Sequence, residues 1–277
     1  MRRTRSHRSF EEDTIDDHEL LACRYAEVAA SGDHTATASD FLLRELEIDY
    51  AAGFVREGDR ILDVGCGMGY AAIRYARDEA TRVTGLDYTK GMIDQAMQAL
   101  AVEDPSLASR VDFIHGSVVE LPFADAAFDV VTSHRCLMAL LDWELQQAAL
   151  IEIERVLKPG GTLVLMEGTE EGLERLNALR GAVGLSVIPG DGRDRLLTLK
   201  FREAELQEFL ETRFELLERR GFGTYYLIGR VIHPLLVAPD APRYDHPINE
   251  VARVMELAIP GLVNCGHLQA YALRKRP

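Results

Sequence analysis

The sequence predicts an α/β fold built on a parallel sheet, and three observations carry that prediction. Residues 61–69, ILDVGCGMG, run from an apolar strand into a turn of three glycines spaced two apart. Ala72, Ile73 and Ala76 then follow at helical spacing. A second strand-like run, residues 82–86, ends in an acid, Asp87, 18 residues after Gly69. Three further strand-like runs alternate with helix-like ones, a pattern that calls for right-handed crossovers between parallel strands. At 277 residues with 47% hydrophobic content, the chain can fill the core of one large domain with additions, or of two modest ones.

Taken in order, residues 1–15 are polar and of mixed charge, and read as a loosely ordered tail. From Asp16 to Ala30, Leu20, Leu21, Tyr25 and Val28 recur at helical spacing, and Ser31-Gly32-Asp33 stops that helix. A second helix, about Ser39 to Phe54, sets Leu42, Leu43, Leu46, Ile48 and Phe54 on or near one apolar face. Arg56-Glu57-Gly58-Asp59 turns into the first strand. Glycine suits the turn after that strand because a side chain would hold a ligand away from the backbone, and because only glycine takes positive φ without strain. Backbone N–H groups at such a strand end, beside a helix start, receive small polar ligands. Beyond Asp87 a helix spans Met92 to Leu100, and strands span Ser109 to Ile114 and Ala127 to Val131. A helix from Asp142 to Leu157 carries Leu150, Ile153 and Leu157 inward, and Lys158-Pro159-Gly160-Gly161 turns into a fifth strand, Thr162 to Met166. Residues 170–200 hold a helix-like run and then the glycine-rich Pro189-Gly190-Asp191-Gly192-Arg193. Arg202 to Thr212 reads as a helix, and Phe214 to Arg219 and His267 to Leu273 as strands separated by a long excursion, 222–266.

A dinucleotide fingerprint reads GxGxxG, whereas Tyr70 and Gly69 make this turn GxGxG. With the second strand and Asp87 in register, it resembles the class I S-adenosylmethionine-dependent methyltransferases. Residues 116–129 resemble that family's GDxxxLPFxxxxFD signature, with Ser117 where an Asp usually accepts the adenine amino group, and LKPGG at 157–161 is a further family hallmark. The resemblance covers about residues 55–170. It implies a Rossmann-like three-layer sandwich whose mostly parallel seven-stranded sheet has an antiparallel last strand, with N-terminal helices and a C-terminal cap insertion. The chain then divides into a tail with lid helices (1–54), a cofactor core (55–170) and a remainder (171–277) with acceptor-side insertions at 171–200 and 222–266. The implied activity is methyl transfer from S-adenosylmethionine to a small molecule in biosynthetic metabolism, at oxygen first, then nitrogen or carbon. Another reaction on the same fold, such as decarboxylation or cyclisation, and a non-catalytic cofactor-binding module remain the alternatives.

Residue by residue, the resemblance places Gly65, Cys66, Gly67 and Gly69 around the methionine and ribose, with Asp63 orienting the ammonium through water. It places Asp87 and Tyr88 at the ribose, Met92, Ser117 and Val118 around adenine, and Ser133 at the end of the fourth strand. Met92 reads equally well as core filler. A serine at 117 accepts one hydrogen bond without charge assistance, so adenine recognition would lean on backbone near Val118.

Acceptor-side candidates come from position. His134 and Arg135 follow the fourth strand and Glu167 ends the fifth, at the carboxyl edge where open parallel sheets hold ligands. His134, Glu167 and His233 are the candidate bases, with His267 behind them. Arg135 could clamp an acidic group or pair with a surplus carboxylate. Tyr25 on a lid helix, and Tyr225, Tyr226, Arg230, His233 and Tyr244 in the excursion, are candidate acceptor contacts; a dimer or lid surface is the other reading of that excursion.

The net charge of −14 disfavours phosphate backbones as partners, and the short basic runs at both ends read as solvated tails. Cys23, Cys66, Cys136 and Cys265 show no CxxC spacing, which suits a reducing compartment. With no apolar run of membrane-spanning length and no signal-peptide pattern, the expectation is a cytoplasmic enzyme with a small-molecule substrate. No nucleic acid, membrane or metal partner is expected, and a homodimer is possible.

Overall fold

The computed structural model describes residues 17–33, 39–78, 82–190 and 198–277. The expected tail and residues 191–193 of the glycine-rich run lie outside the described residues. Seven strands form one sheet: β1 (Arg60–Val64), β2 (Arg82–Asp87), β3 (Val111–His115), β4 (Phe128–His134), β5 (Leu157–Gly168), β6 (Phe214–Gly221) and β7 (Leu268–Lys275). Their order is β3-β2-β1-β4-β5-β7-β6, with β7 antiparallel to both neighbours. The helices are α1 (Asp17–Ser31), α2 (Phe41–Ala52), α3 (Tyr70–Asp78), α4 (Lys90–Ala101), α5 (Pro105–Ala108), α6 (Trp143–Val156), α7 (Glu170–Ala182), α8 (Glu203–Glu211), α9 (Gly223–Tyr226), α10 (His233–Val237) and α11 (Pro247–Ala258).

The central strands read as continuous apolar runs because both their faces are covered. One face packs Ile61, Val83, Val130 and Val164 against α2, α3, α4 and the 222–266 segment. The other packs Leu62, Val131, Leu163 and Leu165 against α6 and α8. Leu150 and Ile153 of α6 are fully buried there, each contributing about 1.5–3 kcal/mol from apolar burial. The strand order reverses between β1 and β4, so their carboxyl ends open a crevice at the topological switch point.

Two segments differ from expectation. The fifth strand starts at Leu157, because backbone pairing from Phe128 to Leu157 carries it through the Lys-Pro-Gly-Gly turn, where Gly160 takes φ +77°. The excursion is helical: α9, a π turn (Leu227–Ile232), α10 and α11 follow one another. Gly229 and Pro234 mask this in the sequence, since both weaken a helical reading; buried Tyr225, Tyr226, Val231 and Ala252 supply the core contacts that override propensity.

Candidate active site

The glycine turn departs from β1 with all three glycines in the left-handed region, at φ +69°, +54° and +79° for Gly65, Gly67 and Gly69. The Gly65 and Cys66 N–H groups both donate to Leu86 O of β2 (2.7 and 3.0 Å), and Gly69 N donates to Cys66 O (3.0 Å), which closes the loop tightly. A Cβ at Gly65 would stand 2.5 Å from the Cys136 side chain, and one at Gly69 would stand 2.4 Å from the Phe113 ring. At Gly67 it would meet no atom within 4 Å. Gly67 is therefore bare main chain beside open space, as a cofactor cradle requires.

Asp87 faces that cradle. Its Oδ2 accepts from Gly67 N (2.9 Å) and its Oδ1 from Thr89 N (2.8 Å), and the Thr89 side chain bonds the carboxylate as well. Burial raises its pKa, against the pull of the two backbone hydrogen bonds. Asp63, 1% exposed, accepts from Thr132 Oγ1 (2.9 Å) and leaves Oδ2 buried with no hydrogen-bond partner. Burial raises its pKa also, with His134 and Thr132 opposing. An orphaned carboxylate oxygen beside a bare glycine turn fits the ammonium of S-adenosylmethionine.

Helix α1 covers this region. Ala29 of α1, Met68 of the glycine turn and Met92 of α4 form one cluster with Tyr25 packed on it. Met92 is 1% exposed, so it serves as the floor under α1. Tyr25 lies within electrostatic reach of Cys136, Asp87 and Arg135, and burial raises its phenol pKa. Val118 is buried, the Ser117 hydroxyl accepts from Val119 N (3.4 Å), and the Tyr88 side chain projects into solvent.

His134 ends β4 and Glu167 lies near the end of β5, and each candidate base is engaged by neighbouring groups. Glu167 is fully buried; its Oε1 accepts from Ser133 Oγ (2.7 Å) and Leu137 N (2.9 Å), and its Oε2 accepts from Met138 N (3.0 Å). It ties the ends of β4 and β5 to the 3-10 turn Leu137–Ala139, and burial pushes its pKa up to about 7. Ser133 donates its hydroxyl to the same cluster. His134 is held on both sides, with Nε2 2.8 Å from the Tyr75 hydroxyl and Nδ1 3.7 Å from Glu47. His233, 1% exposed, stacks on His246 with centroids 4.5 Å apart; burial, His246 and Arg230 lower its pKa. Burial and the cations around it push His267 down to about 3.

Tyr225 and Tyr226 are fully buried rather than lining an open wall. Tyr225 donates its hydroxyl to Asp40 Oδ1 (2.5 Å), and Arg230 pairs with the other Asp40 oxygen. Asp40 also caps α2 by accepting from Leu43 N, so this cluster fastens the 222–266 segment onto α2. Arg230 lies over the Tyr244 ring, 4.6 Å from its centroid, and Tyr244 itself is exposed.

Sequence reasoning missed Glu47, Tyr75 and Asp40. Glu47 is fully buried, and both its oxygens lack a hydrogen-bond partner. Arg135 Nη2 stands 3.3 Å from it. A signal was available: Leu43, Leu46, Glu47 and Tyr50 share the i, i+3, i+4, i+7 face of α2, and a carboxylate on an apolar face demands a partner.

A cavity of about 530 Å³ opens at the opposite, amino edge of the sheet, between Arg56, Asp129, Lys158 and Arg274. Lys158 pairs there with Asp129 (2.6 Å), which also accepts from Arg60 N (3.0 Å), so these charges serve the strand starts. Among the described residues no cluster could hold a metal ion, and no helix is long and apolar enough to cross a membrane.

Residues 61–161 match the family model of the methyltransferase domain. Over 121 residues the chain is 40% identical to the 27-O-demethylrifamycin SV methyltransferase of Amycolatopsis mediterranei, covering 42% of each chain. The chain spans about half or less of the length of the curated relatives it matches. Among solved structures, the [4+2]-cyclase SpnF is similar at TM-score 0.55 and 26% identity, over 87% of this chain and 82% of that one. A S-adenosylmethionine-dependent methyltransferase of Methanosarcina mazei is similar at TM-score 0.53 and 20% identity, over 81% and 95%.

Proposed function

We propose that the chain is a class I S-adenosylmethionine-dependent methyltransferase, as the match of residues 61–161 to the methyltransferase-domain model supports, and that it methylates an oxygen of a small-molecule acceptor. One observation carries the reading. Gly67 lies bare beside open space at the carboxyl edge, with its N–H held by Asp87. The rifamycin relative, whose name specifies an oxygen, supports the choice of atom.

When bound, the cofactor supplies a methyl group on a sulfonium. The main chain of Gly65 to Gly69 would hold its methionine and ribose, and Asp87 would accept from the ribose hydroxyls. Asp63 Oδ2 would receive the ammonium, with Val118 and Ser117 beside adenine. Helices α1 and α2 exclude water over the crevice, and positioning of this kind supplies several kcal/mol toward the barrier. His134, braced between Tyr75 and Glu47, holds the floor of the site and leaves the acceptor's proton alone. A His134→Gln variant should accordingly show the wild-type shape of pH–rate profile.

The test incubates the purified chain with S-adenosylmethionine and fractionated small-molecule extract, and reads mass spectra for a product heavier by one methylene. Binding of S-adenosylhomocysteine without any such product refutes methyl transfer. The likeness to SpnF favours a second reading, ring closure within one substrate on the same fold. That reading predicts a product of unchanged mass.

A further inference from the structure

The groups around Arg135 outline the acceptor's chemistry. Arg135 follows β4 in the left-handed region at φ +58°, unusual for a side chain of this size, and its N–H donates to Met166 O (2.8 Å). The backbone is thereby fixed beyond the last sheet pairing of β4, at the crevice. A strained residue at a ligand edge is where functional constraint concentrates. Its guanidinium lies within electrostatic reach of Tyr25 on the covering helix, and of Tyr226 and His267 on the 222–266 side.

Glu47 fixes its orientation. The carboxylate is buried, makes no hydrogen bond, and stands 3.3 Å from Arg135 Nη2 and 3.7 Å from His134 Nδ1. The Arg135 side chain keeps 26% exposure, and a guanidinium presents five donors in a planar fork. Burial first, and then the charges of Lys200, Arg230 and Arg135, lower the pKa of His267. Arg44 adds a further positive charge beside Arg135. Arg230 is paired with Asp40 and Arg135 with Glu47, so what is left to meet a ligand is the part of the Arg135 fork that Glu47 does not engage.

Resting on the methyltransferase reading above, we infer that the acceptor carries a carboxylate, and that Arg135, held in place by Glu47, receives it. A planar, singly charged carboxylate matches the guanidinium fork. Glu47 is the positioning residue for that contact.

The experiment titrates three acids (4-hydroxybenzoate, phenylacetate and hexanoate) and their methyl esters into the full chain saturated with S-adenosylhomocysteine, by calorimetry. At least one acid should bind tenfold or more tightly than its ester. Arg135→Gln should bring that ratio within twofold of unity, Arg135→Lys should restore part of it, and both should hold S-adenosylhomocysteine within threefold of wild type. Acids that bind no better than their esters, or do not bind, overturn the inference, and so does an Arg135→Gln variant that keeps the preference. A variant that instead loses S-adenosylhomocysteine and keeps the preference would put Arg135 on the cofactor's methionine carboxylate, and overturns it equally. Should Arg135→Gln fail to fold, the wild-type acid-to-ester ratio still decides. Failure of the methyltransferase reading is visible separately, as wild-type chain that does not bind S-adenosylhomocysteine, and it removes both conclusions.

Discussion

Replacing Gly67 by alanine should separate cofactor binding from folding. The added Cβ would meet no atom within 4 Å, so the only folding cost is the left-handed backbone at φ +54°. That cost is about 1–2 kcal/mol for an L side chain. At roughly 2–4 °C per kcal/mol for a domain of this size, the melting temperature should fall by about 2–8 °C. The same methyl group would stand where the cofactor meets main chain, and affinity should fall at least about 100-fold, on the order of 2.7 kcal/mol. Gly69→Ala is the counterpart. Its Cβ would stand 2.4 Å from one Phe113 ring carbon, 2.8 Å from another and 3.0 Å from Ala96 Cβ, at φ +79°. Overpacking of about 1–3 kcal/mol then adds to the backbone strain, and folding suffers first. The assay is thermal denaturation with and without S-adenosylhomocysteine, where 100 times Kd should stabilise wild type by about 2.7 kcal/mol. A Gly67→Ala protein that binds S-adenosylhomocysteine within threefold of wild type would refute the cradle.

Three further outcomes follow from the same geometry. Asp87→Ala should weaken cofactor binding by about 1–3 kcal/mol, because the ribose loses its acceptor and Gly67 N loses the carboxylate that orients it; unchanged affinity by calorimetry would contradict the ribose assignment. Glu167 keeps its proton up to about pH 7 in the folded chain and only to about 4.5 when unfolded, so the folded state binds more protons between those values. Stability present below pH 4.5 should therefore decline as pH rises to 7, by on the order of 2–4 kcal/mol, and Glu167→Gln should flatten that slope in urea titrations. Tyr225→Phe should cost about 1–3 kcal/mol of stability, since Asp40 loses a buried donor; an unshifted denaturation midpoint would detach the insertion from α2.

The legible part of the molecule was the part encoded locally. Strand, glycine turn, helix and terminal acid lie within 61–87, and each follows from neighbours a few residues apart, so the turn and the acid that faces it are legible in the sequence. A parallel sheet with right-handed crossovers followed from the alternation of strands and helices, while the antiparallel last strand came only with the family resemblance. The acceptor half is written differently. Tyr225 meets Asp40 across 185 positions, and His134 meets Tyr75 across 59. Periodicity reports which face of an element is buried and is silent on what buries it, so Glu167 at a strand end looked like a base when Leu137 N and Met138 N had already claimed it.

That division bears on where specificity resides. The segment matched by the methyltransferase-domain model, 61–161, contains the cradle, Asp87, His134 and Arg135. The groups that aim Arg135 or interact electrostatically with it lie largely outside that segment: Glu47 and Arg44 on α2, Tyr226 in α9, and His267. Asp40 joins two of these outer pieces through Tyr225 and Arg230. A guanidinium beside a strand end binds whatever its surroundings permit, because its charge and fork are generic and only their orientation and local potential are particular. On the proposed role of Arg135, the choice of acceptor would be set by α2 and the helical insertion, and substitutions there should change which molecule is methylated while leaving S-adenosylhomocysteine affinity unmoved.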